Sequence, residues 1–277
     1  MRLVGVVTAY HQGESFFENI STYIEGLDKL LIFDNNKDQR LKQEIERFGF
    51  KEKIYYVSFC KNLGVAYALN YALKNFHEYE YLLMMDQDSK FLEEDFSHYI
   101  EAIEDYMDDR VIIYAPYFDG KKTSEKYQLK KRVITSGSIV SVSKAIAIGG
   151  FDESLFIDEV DHEFCYRATR NKFLIVQCNT VSLVHHLGEK QPISIFGITK
   201  FVTNHSPSRR YYMVRNCLYV ICKHPYATLV EFSYLKNLTF MMVAVFFFEK
   251  NRKKKFQYVI RGIKDFFFNR MGKMELK

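Results

Sequence analysis

Residues 81–88 read Tyr-Leu-Leu-Met-Met-Asp-Gln-Asp, an apolar run that ends in two acidic residues separated by one position. A short run of this composition is typical of a strand that is buried on both faces of a sheet. Carboxylates that follow such a strand lie at its carboxyl end, where open α/β sheets bind their ligands. The stretch therefore predicts a buried strand and a candidate site at its end.

Three similar apolar or β-branched runs precede this one, at residues 3–8, 29–34 and 54–58. The segments between the runs have helical periodicity, for example within residues 16–23. Strands that alternate with helices predict right-handed βαβ crossovers and a mostly parallel sheet. The fold class predicted from the sequence is therefore α/β.

The pattern continues to about residue 190 and then changes. We predict one domain over residues 1–190 and a helical region over residues 191–277. The first domain has further strands predicted at 111–117, 134–141 and 181–185, helices at 93–108, 144–148 and 158–170, and a lysine-rich loop at 119–132. The C-terminal region has helices predicted at 209–223, 228–249 and 252–270.

Charge is distributed unevenly over the 277 residues, which carry 39 Lys and Arg against 34 Asp and Glu. Residues 186–277 hold 17 basic and 5 acidic residues, a net of +12, whereas residues 1–185 hold 22 and 29, a net of −7. A basic C-terminal third favours a nucleic acid or an anionic membrane as its partner. A hydrophobic fraction of 48% argues against a disordered chain.

Membrane-spanning and secretory segments are not expected. The longest apolar run, residues 240–248, is much shorter than the ~20 residues that span a bilayer, and the N-terminal run lacks the form of a signal peptide. The five cysteines form no C-x-x-C pair, which argues against a zinc site and favours a reducing compartment. The helix predicted at 252–270 has a Phe-rich stripe beside lysines, which fits an interfacial anchor or an ordinary packed helix equally well.

Two clusters of acidic residues could carry chemistry. Asp86 and Asp88 offer oxygen ligands to a hard divalent cation that also binds phosphate. Asp158 and Asp161, three residues apart in a predicted helix, share a face, and either carboxylate is a candidate general base.

Seven motifs in a fixed order give the sequence a recognisable pattern, which resembles family 2 glycosyltransferases with the GT-A fold. The motifs are Val7-Thr8-Ala9-Tyr10, Asp34-Asn35, Asn62-Leu63-Gly64 with Asn70, Asp86-Gln87-Asp88, Ser136-Gly137-Ser138, Gly150-Phe151-Asp152 and the segment 161–168. An ordered set is far more specific than any single motif. The stretches 156–163 and 205–216 further resemble bacterial rhamnosyltransferases of surface polysaccharide assembly.

This resemblance implies an inverting enzyme with a nucleotide-diphosphate sugar as donor, dTDP-rhamnose first and a UDP-hexose second, and a site for Mn²⁺ or Mg²⁺. It implies Asp161, with Asp158 as the alternative, as the catalytic base. The implied metal ligands are Asp86 and Asp88, with His185 or His186. The implied donor contacts are Thr8, Tyr10, Asp34 for the pyrimidine N–H, Asn62, Gly64, Asp86, Gln87 and an arginine clamp from Arg209, Arg210 or Arg215.

Several other classes fit less well. A dehydrogenase would carry G-x-G-x-x-G after the first strand, where residues 8–13 read Thr-Ala-Tyr-His-Gln-Gly. The basic residues of the last third alternate with long Phe and Met runs, which favours an anionic membrane surface over nucleic acid. We therefore expect a cytoplasmic enzyme, peripheral on the inner face of the membrane, with a lipid-linked oligosaccharide acceptor. The Phe-rich helices are equally consistent with a homodimer.

Overall fold

The computed structural model describes residues 1–92, 94–118, 124–185, 191–195, 198–202, 204–226 and 233–275. Its contacts divide the chain into two compact units. The first unit comprises Met1–Phe156 with Val160–His186, and the second comprises Ile157–Glu159 with Leu187–Lys277. The domain boundary expected at residue 190 stays a prediction.

The first unit alternates strands and helices as the sequence predicts. Its strands are β1 (Leu3–Ala9), β2 (Lys29–Asp34), β3 (Ile54–Ser58), β4 (Tyr81–Asp86), β5 (Ser89–Phe91), β6 (Val111–Tyr117), β7 (Tyr127–Leu129), β8 (Ile139–Ser141) and β9 (Leu174–His185). Its helices are α1 (Phe16–Ser21), α2 (Arg40–Ile45), α3 (Val65–Asn75), α4 (Asp95–Asp105), α5 (Val142–Ala147) and α6 (Val160–Arg170).

The strands form one sheet in the order β3-β2-β1-β4-β8-β6-β9-β5, with β7 also paired to β9. The pairs among β3, β2, β1 and β4 are parallel, β6 and β9 are parallel, and β8 runs antiparallel between β4 and β6. The chain leaves β1 towards β2 and later returns to β4 on the other side of β1. The order reverses at this point, and open α/β sheets bind ligands in the resulting crevice.

Burial explains why β1, β2 and β4 could be predicted from the sequence. Leu82, Leu83, Leu31 and Ile32 are all fully buried, although neighbouring residues of a strand point to opposite faces. Both faces of the sheet are therefore covered, which requires the continuous apolar runs of a parallel sheet. The α/β class is confirmed.

Several elements differ from the prediction; β9, for example, begins at Leu174 rather than at residue 181. The strand expected at 134–141 is confined to β8, because residues 136–138 form a turn against the end of β4. The described part of the loop expected at 119–132 contains β7. The helix expected at 158–170 begins at Val160, so Asp158 and Asp161 do not share a helical face.

The second unit contains a hairpin and three long helices in the described residues. The hairpin strands are β10 (Gln191–Ile195) and β11 (Ile198–Val202), and the helices are α7 (Pro207–Lys223), α8 (Ser233–Phe247) and α9 (Arg252–Phe267). Val214, Met241 and Val259 form the apolar contact of the three helices. At Gly262 a Cβ would lie 2.7 Å from the carbonyl oxygen of Tyr211, so the close packing of α9 on α7 requires glycine there. No helix among the described residues is long and apolar enough to cross a bilayer.

An ion cluster is buried in the second unit. Arg210 and Lys255 both bind the carboxylate of Glu249, and each of the three side chains is at most 4% exposed. The Lys255 ammonium also donates to the Asn204 side-chain oxygen, at 2.5 Å. Because the cluster is satisfied internally, it fixes the loop before α7 to the turn between α8 and α9.

His205 lies beside this cluster, and we expect it to make stability depend on pH. Burial, together with Arg209, Arg210 and Lys255, lowers the pKa of His205 to about 4. The unfolded chain therefore binds more protons than the folded chain between about pH 6.5 and 4, so stability is lost as the pH falls through this window. We expect His205→Gln to reduce this loss by about 2 kcal/mol in urea unfolding at a series of pH values. The control His98→Gln, at an exposed histidine, should keep the pH dependence of the wild type. If His205→Gln also kept it, the pH dependence would not come from His205.

Candidate active site

The carboxyl ends of β1, β2 and β4 bring three predicted site residues to one edge of the sheet. Thr8 is the register partner of Asp86, and Ala9 is the partner of Asp34. These pairings lie on either side of β1, where the strand order reverses. Thr8 and Asp86 therefore lie side by side at the edge of the sheet where the strand order reverses, and a donor site there stays a prediction.

Gln87 ties the loop after β1 to the loop after β4. Its amide oxygen accepts from the backbone N–H of Tyr10 at 2.8 Å, and its amide N–H donates to the Tyr10 carbonyl at 3.1 Å. The Gln87 carbonyl also accepts from the Asn19 side chain at 3.1 Å. Gln87 thus holds the Asp86-Gln87-Asp88 turn in place, and the Tyr10 ring is left exposed.

A serine pair supports the acidic turn from the other side. The Ser136 hydroxyl accepts from the backbone N–H of Asp86 at 3.1 Å and donates to the Ser89 hydroxyl at 2.8 Å. Gly137, at φ +78°, donates its N–H to the Met84 carbonyl at 2.8 Å. The motif at 136–138 therefore positions the acid pair, a role that the sequence did not reveal.

The acid pair fits a hard divalent cation. Asp86 is half-buried and Asp88 is exposed. Gln87, between them, is hydrogen-bonded to the Tyr10 backbone through its side chain. Oxygen ligands of this kind suit Mg²⁺ or Mn²⁺. Ser89 is the register partner of His185, which places the His185 backbone one residue from Asp88. His186 lies outside the described residues, and within those residues no three His, Cys, Asp or Glu side chains cluster as a complete ligand set.

Asp34 is fully buried at the end of β2, and its carboxylate is hydrogen-bonded by neighbouring polar groups. Its carboxylate accepts from the Asn36 backbone and side-chain nitrogens, both at 2.8 Å, and from the Tyr56 hydroxyl at 2.7 Å. Burial and the Asp34 carboxylate raise the pKa of Tyr56, so this hydroxyl stays a donor. A carboxylate has about four acceptor positions, so three bonds leave room for one more donor.

The loop before α3 is shaped by Asn62 and Gly64. The Asn62 side-chain oxygen accepts from the Gly64 N–H at 2.9 Å. Gly64 has φ +90°, and a Cβ there would lie 2.5 Å from the Phe156 carbonyl oxygen. The glycine is thus required by close approach to Phe156, a contact that the sequence could not show.

Asn70 joins this part of the site to the turn before α6. Its side chain accepts from the Phe151 N–H at 2.7 Å and donates to the Phe151 carbonyl at 2.9 Å. A Cβ at Gly150 would lie 2.5 Å from the same side-chain oxygen. The motif that contains Asn70 and the motif Gly150-Phe151-Asp152, about 80 residues apart in sequence, are therefore in direct contact.

Asp161 lies in the first turn of α6. Its carboxylate is half-buried and accepts from the His162 N–H at 2.8 Å. Cys165, four residues later on the same helical face, lies against the Val133 carbonyl, 3.7 Å away. Asp161 is thus on the side of α6 that faces the loop leading to Ser136.

Asp158, the alternative base, has a different environment. It precedes α6 with φ +61°, and its carboxylate accepts two bonds from the Arg209 guanidinium, each 3.2 Å long. Asn216 donates to the carbonyls of Ile157 and Asp158, at 2.6 and 3.0 Å. Asp158 thus forms an ion pair within the second unit, whereas Asp161 belongs to the first.

A buried ion pair fixes α6. Glu163 is fully buried and binds Arg167, which also donates to the carbonyls of Ile148 and Gly150. We expect Glu163→Gln to lower the free energy of unfolding by about 3 kcal/mol, because it leaves the Arg167 charge without its carboxylate. Urea unfolding followed by circular dichroism measures the change. The exposed Glu44→Gln on α2 should change stability by less than about 0.5 kcal/mol, and equal effects of the two variants would contradict this role.

The three predicted clamp arginines lie in the second unit and differ in accessibility. Arg210 is in the buried cluster with Glu249. Arg215 is fully buried, donates to the Gly272 carbonyl at 2.7 Å and lies against the rings of Tyr211 and Tyr212. Both are placed to stabilise the second unit rather than to bind a donor. Arg209 is exposed, so a diphosphate contact stays a prediction for Arg209 only.

A sheet with this strand order, and an acid pair after the strand next to β1, is the arrangement expected from the resemblance to glycosyltransferases of the GT-A fold. The family comparison agrees, since the model of glycosyl transferase family 2 matches residues 6–165. The chain belongs to glycosyl transferase family 2.

Similar proteins include a transferase related in sequence and solved structures of similar fold with a bound nucleotide sugar. The chain is 27% identical over 259 residues to the dTDP-rhamnosyl transferase RfbF of Shigella flexneri, covering 84% of this chain and 83% of that protein. The mannosyltransferase PcManGT of Pyrobaculum calidifontis, solved with GDP-Man and Mn²⁺, is similar with a TM-score of 0.61 at 12% identity, over 97% of this chain and 87% of that one. TarS 1-349 of S. aureus, solved with UDP-GlcNAc, has a TM-score of 0.54 at 15% identity, over 96% and 80%.

Proposed function

We propose that this enzyme transfers rhamnose from dTDP-rhamnose to a hydroxyl group of a lipid-linked oligosaccharide in cell-surface polysaccharide synthesis. The observation that carries the donor site is the pairing of Thr8 with Asp86 at the reversal of strand order. The similarity to a dTDP-rhamnosyl transferase over most of both chains supports the choice of donor.

The Asp34 carboxylate favours a donor whose nucleotide carries a pyrimidine base. Its remaining acceptor position suits the ring N–H of thymine or uracil, which both bases present in the same place. The residue therefore favours dTDP and UDP equally, and a UDP-hexose is the second candidate donor. Tyr10, exposed beside Gln87, is placed to border the nucleotide.

Asp86 and Asp88, with His185 or His186, would hold Mn²⁺ or Mg²⁺. A divalent cation at this position would neutralise charge on the diphosphate as it leaves. Gln87, Ser136 and Ser89 keep the two carboxylates in place through their contacts with the loops on either side. The acid pair can therefore bind without first reorganising its backbone.

Asp161 is the proposed base. Its carboxylate takes the proton of the acceptor hydroxyl as the hydroxyl oxygen bonds to the anomeric carbon. The bond from that carbon to the diphosphate breaks in the same displacement, so the anomeric configuration inverts and the nucleoside diphosphate leaves with the bonding electrons. Asp158 is the second candidate, but its carboxylate is bound to Arg209.

A panel of donors tests this proposal. The enzyme is incubated with Mn²⁺ and dTDP-rhamnose, UDP-glucose or GDP-mannose, and nucleoside diphosphate release and calorimetric binding of dTDP, UDP and GDP are measured. We expect tightest binding of dTDP and fastest release from dTDP-rhamnose. Preference for the uridine compounds would make a UDP-hexose the donor in place of dTDP-rhamnose. No binding or release with any compound would overturn the proposed function.

A further inference from the structure

Large apolar side chains are exposed along one face of α9. Phe256 is 41% exposed, Ile260 49% and Phe267 77%. At ~100° per residue these three positions fall within about 40° around the helix axis. Val259 and Gly262, which pack against α7, lie on a different face of the helix. Ile263, about 20° from Phe256 around the axis, packs against the core of the second unit, so the exposed stripe borders the face that α9 uses for folding.

The stripe continues onto the end of α8. Phe246 and Phe247 are exposed there, and the Phe246 ring lies 6.2 Å from the Phe256 ring. We call the five side chains the aromatic face: Phe246, Phe247, Phe256, Ile260 and Phe267. Solitary apolar side chains are ordinary on a protein surface, but a contiguous set marks an interaction site.

Basic side chains border the aromatic face. Lys253 and Lys264 are exposed on one side of the stripe, within ~80° of Phe256 around the axis, and Arg252 is exposed on the other. In residues 250–275, all of which the structure describes, Glu275 is the only exposed acidic residue. The surface thus combines apolar side chains with positive charge.

We propose that the aromatic face docks on an anionic lipid surface, with the phenylalanines at the boundary of headgroups and acyl chains and the lysines on the headgroups. The proposal rests on the proposed function in one respect, since it gives that enzyme its access to a lipid-linked acceptor. A second copy of the chain fits less well, because a two-fold contact would place Lys253 and Lys264 against the same positive surface. Anionic lipid satisfies the apolar and the basic side chains together.

Vesicle sedimentation of the full chain, without donor or acceptor, tests the proposal. Vesicles of phosphatidylcholine with one third phosphatidylglycerol are compared with phosphatidylcholine alone. We expect binding to the anionic vesicles that weakens with added salt, and a drop of more than about tenfold for the triple variant F256Q/I260Q/F267Q. The matched control Ile146→Gln removes an exposed isoleucine from α5 and should bind as wild type.

Adjacent lysines provide a second control. Lys253 borders the stripe, whereas Lys254 lies about 160° from Phe256 around the helix. Lys253→Glu should weaken binding by about tenfold and Lys254→Glu by much less. Point variants are preferred to removal of α9, which would uncover Val214.

Three results would overturn the proposal: unchanged binding of the triple variant, equal effects of the two lysine variants, or concentration-dependent dimers that the triple variant abolishes. Donor hydrolysis in solution, measured on the same variants, separates the two proposals. Normal hydrolysis without vesicle binding would refute the docking surface alone, and vesicle binding without hydrolysis of any donor would refute the proposed function alone.

Discussion

Asp161→Asn is expected to lower sugar transfer by about 10²–10⁴-fold while leaving donor affinity nearly unchanged. The amide cannot take the acceptor proton, but its oxygen can still accept the His162 N–H that now binds the carboxylate. The fold at the start of α6 should therefore persist. Transfer is measured as turnover with dTDP-rhamnose, and binding is measured by calorimetry with dTDP and Mn²⁺.

Asp158→Asn is the matched control for this prediction. Its side chain lies three residues earlier and is bound to Arg209, so we expect at most a modest change in turnover. If Asp158→Asn lost turnover while Asp161→Asn kept it, the assignment of the base would be reversed. Loss of donor binding in Asp161→Asn would indicate a metal or structural role instead.

Asp88→Ala is expected to weaken dTDP binding in Mn²⁺ by about 100-fold and to make the remaining binding insensitive to EDTA. Asp88 is the better position for this test because its side chain is exposed, whereas the Asp86 backbone is bound to Ser136. Calorimetric titration of dTDP, with Mn²⁺ or with EDTA, measures the effect without any acceptor.

Asp105→Asn supplies the control for the loss of one carboxylate. Asp105 is exposed at the end of α4, where it pairs with Lys126. The Asp105→Asn variant should bind dTDP as the wild type does, with the same response to EDTA. If Asp88→Ala retained full Mn²⁺-dependent binding, the acid pair would not be the metal site.

The parts of the fold that the sequence predicted well are those controlled by local patterns. β1, β2 and β4 have continuous apolar runs because both faces of the parallel sheet are covered there, and Asp86 and Asp88 stand out because they end such a run. The predicted start of α6 was wrong because it depends on a contact between residues far apart in sequence. Acidic residues favour a first helical turn, but Asn216, almost 60 residues away, holds the carbonyls of residues 157 and 158.

The supporting contacts of the site depend on strand order and could not be predicted. Ser136 supports the Asp86 turn because residues 136–138 lie against the end of β4, and Asn70 contacts Gly150 only in the folded chain. The arginines show the same limit. Arg210 and Arg215 were candidates for a diphosphate clamp in the sequence, but in the structure they are paired or hydrogen-bonded to groups 39 and 57 residues away.

The position of residues 157–159 in the second unit affects how genes of related enzymes can recombine. They belong by their contacts to the second unit, although residues on both sides belong to the first. Exchanging only residues 187–277 with those of another family member would pair the resident loop with a foreign helix in place of α7. A chimera that keeps these contacts would therefore have to exchange two separate stretches of the gene, so recombination by a single crossover would be disfavoured.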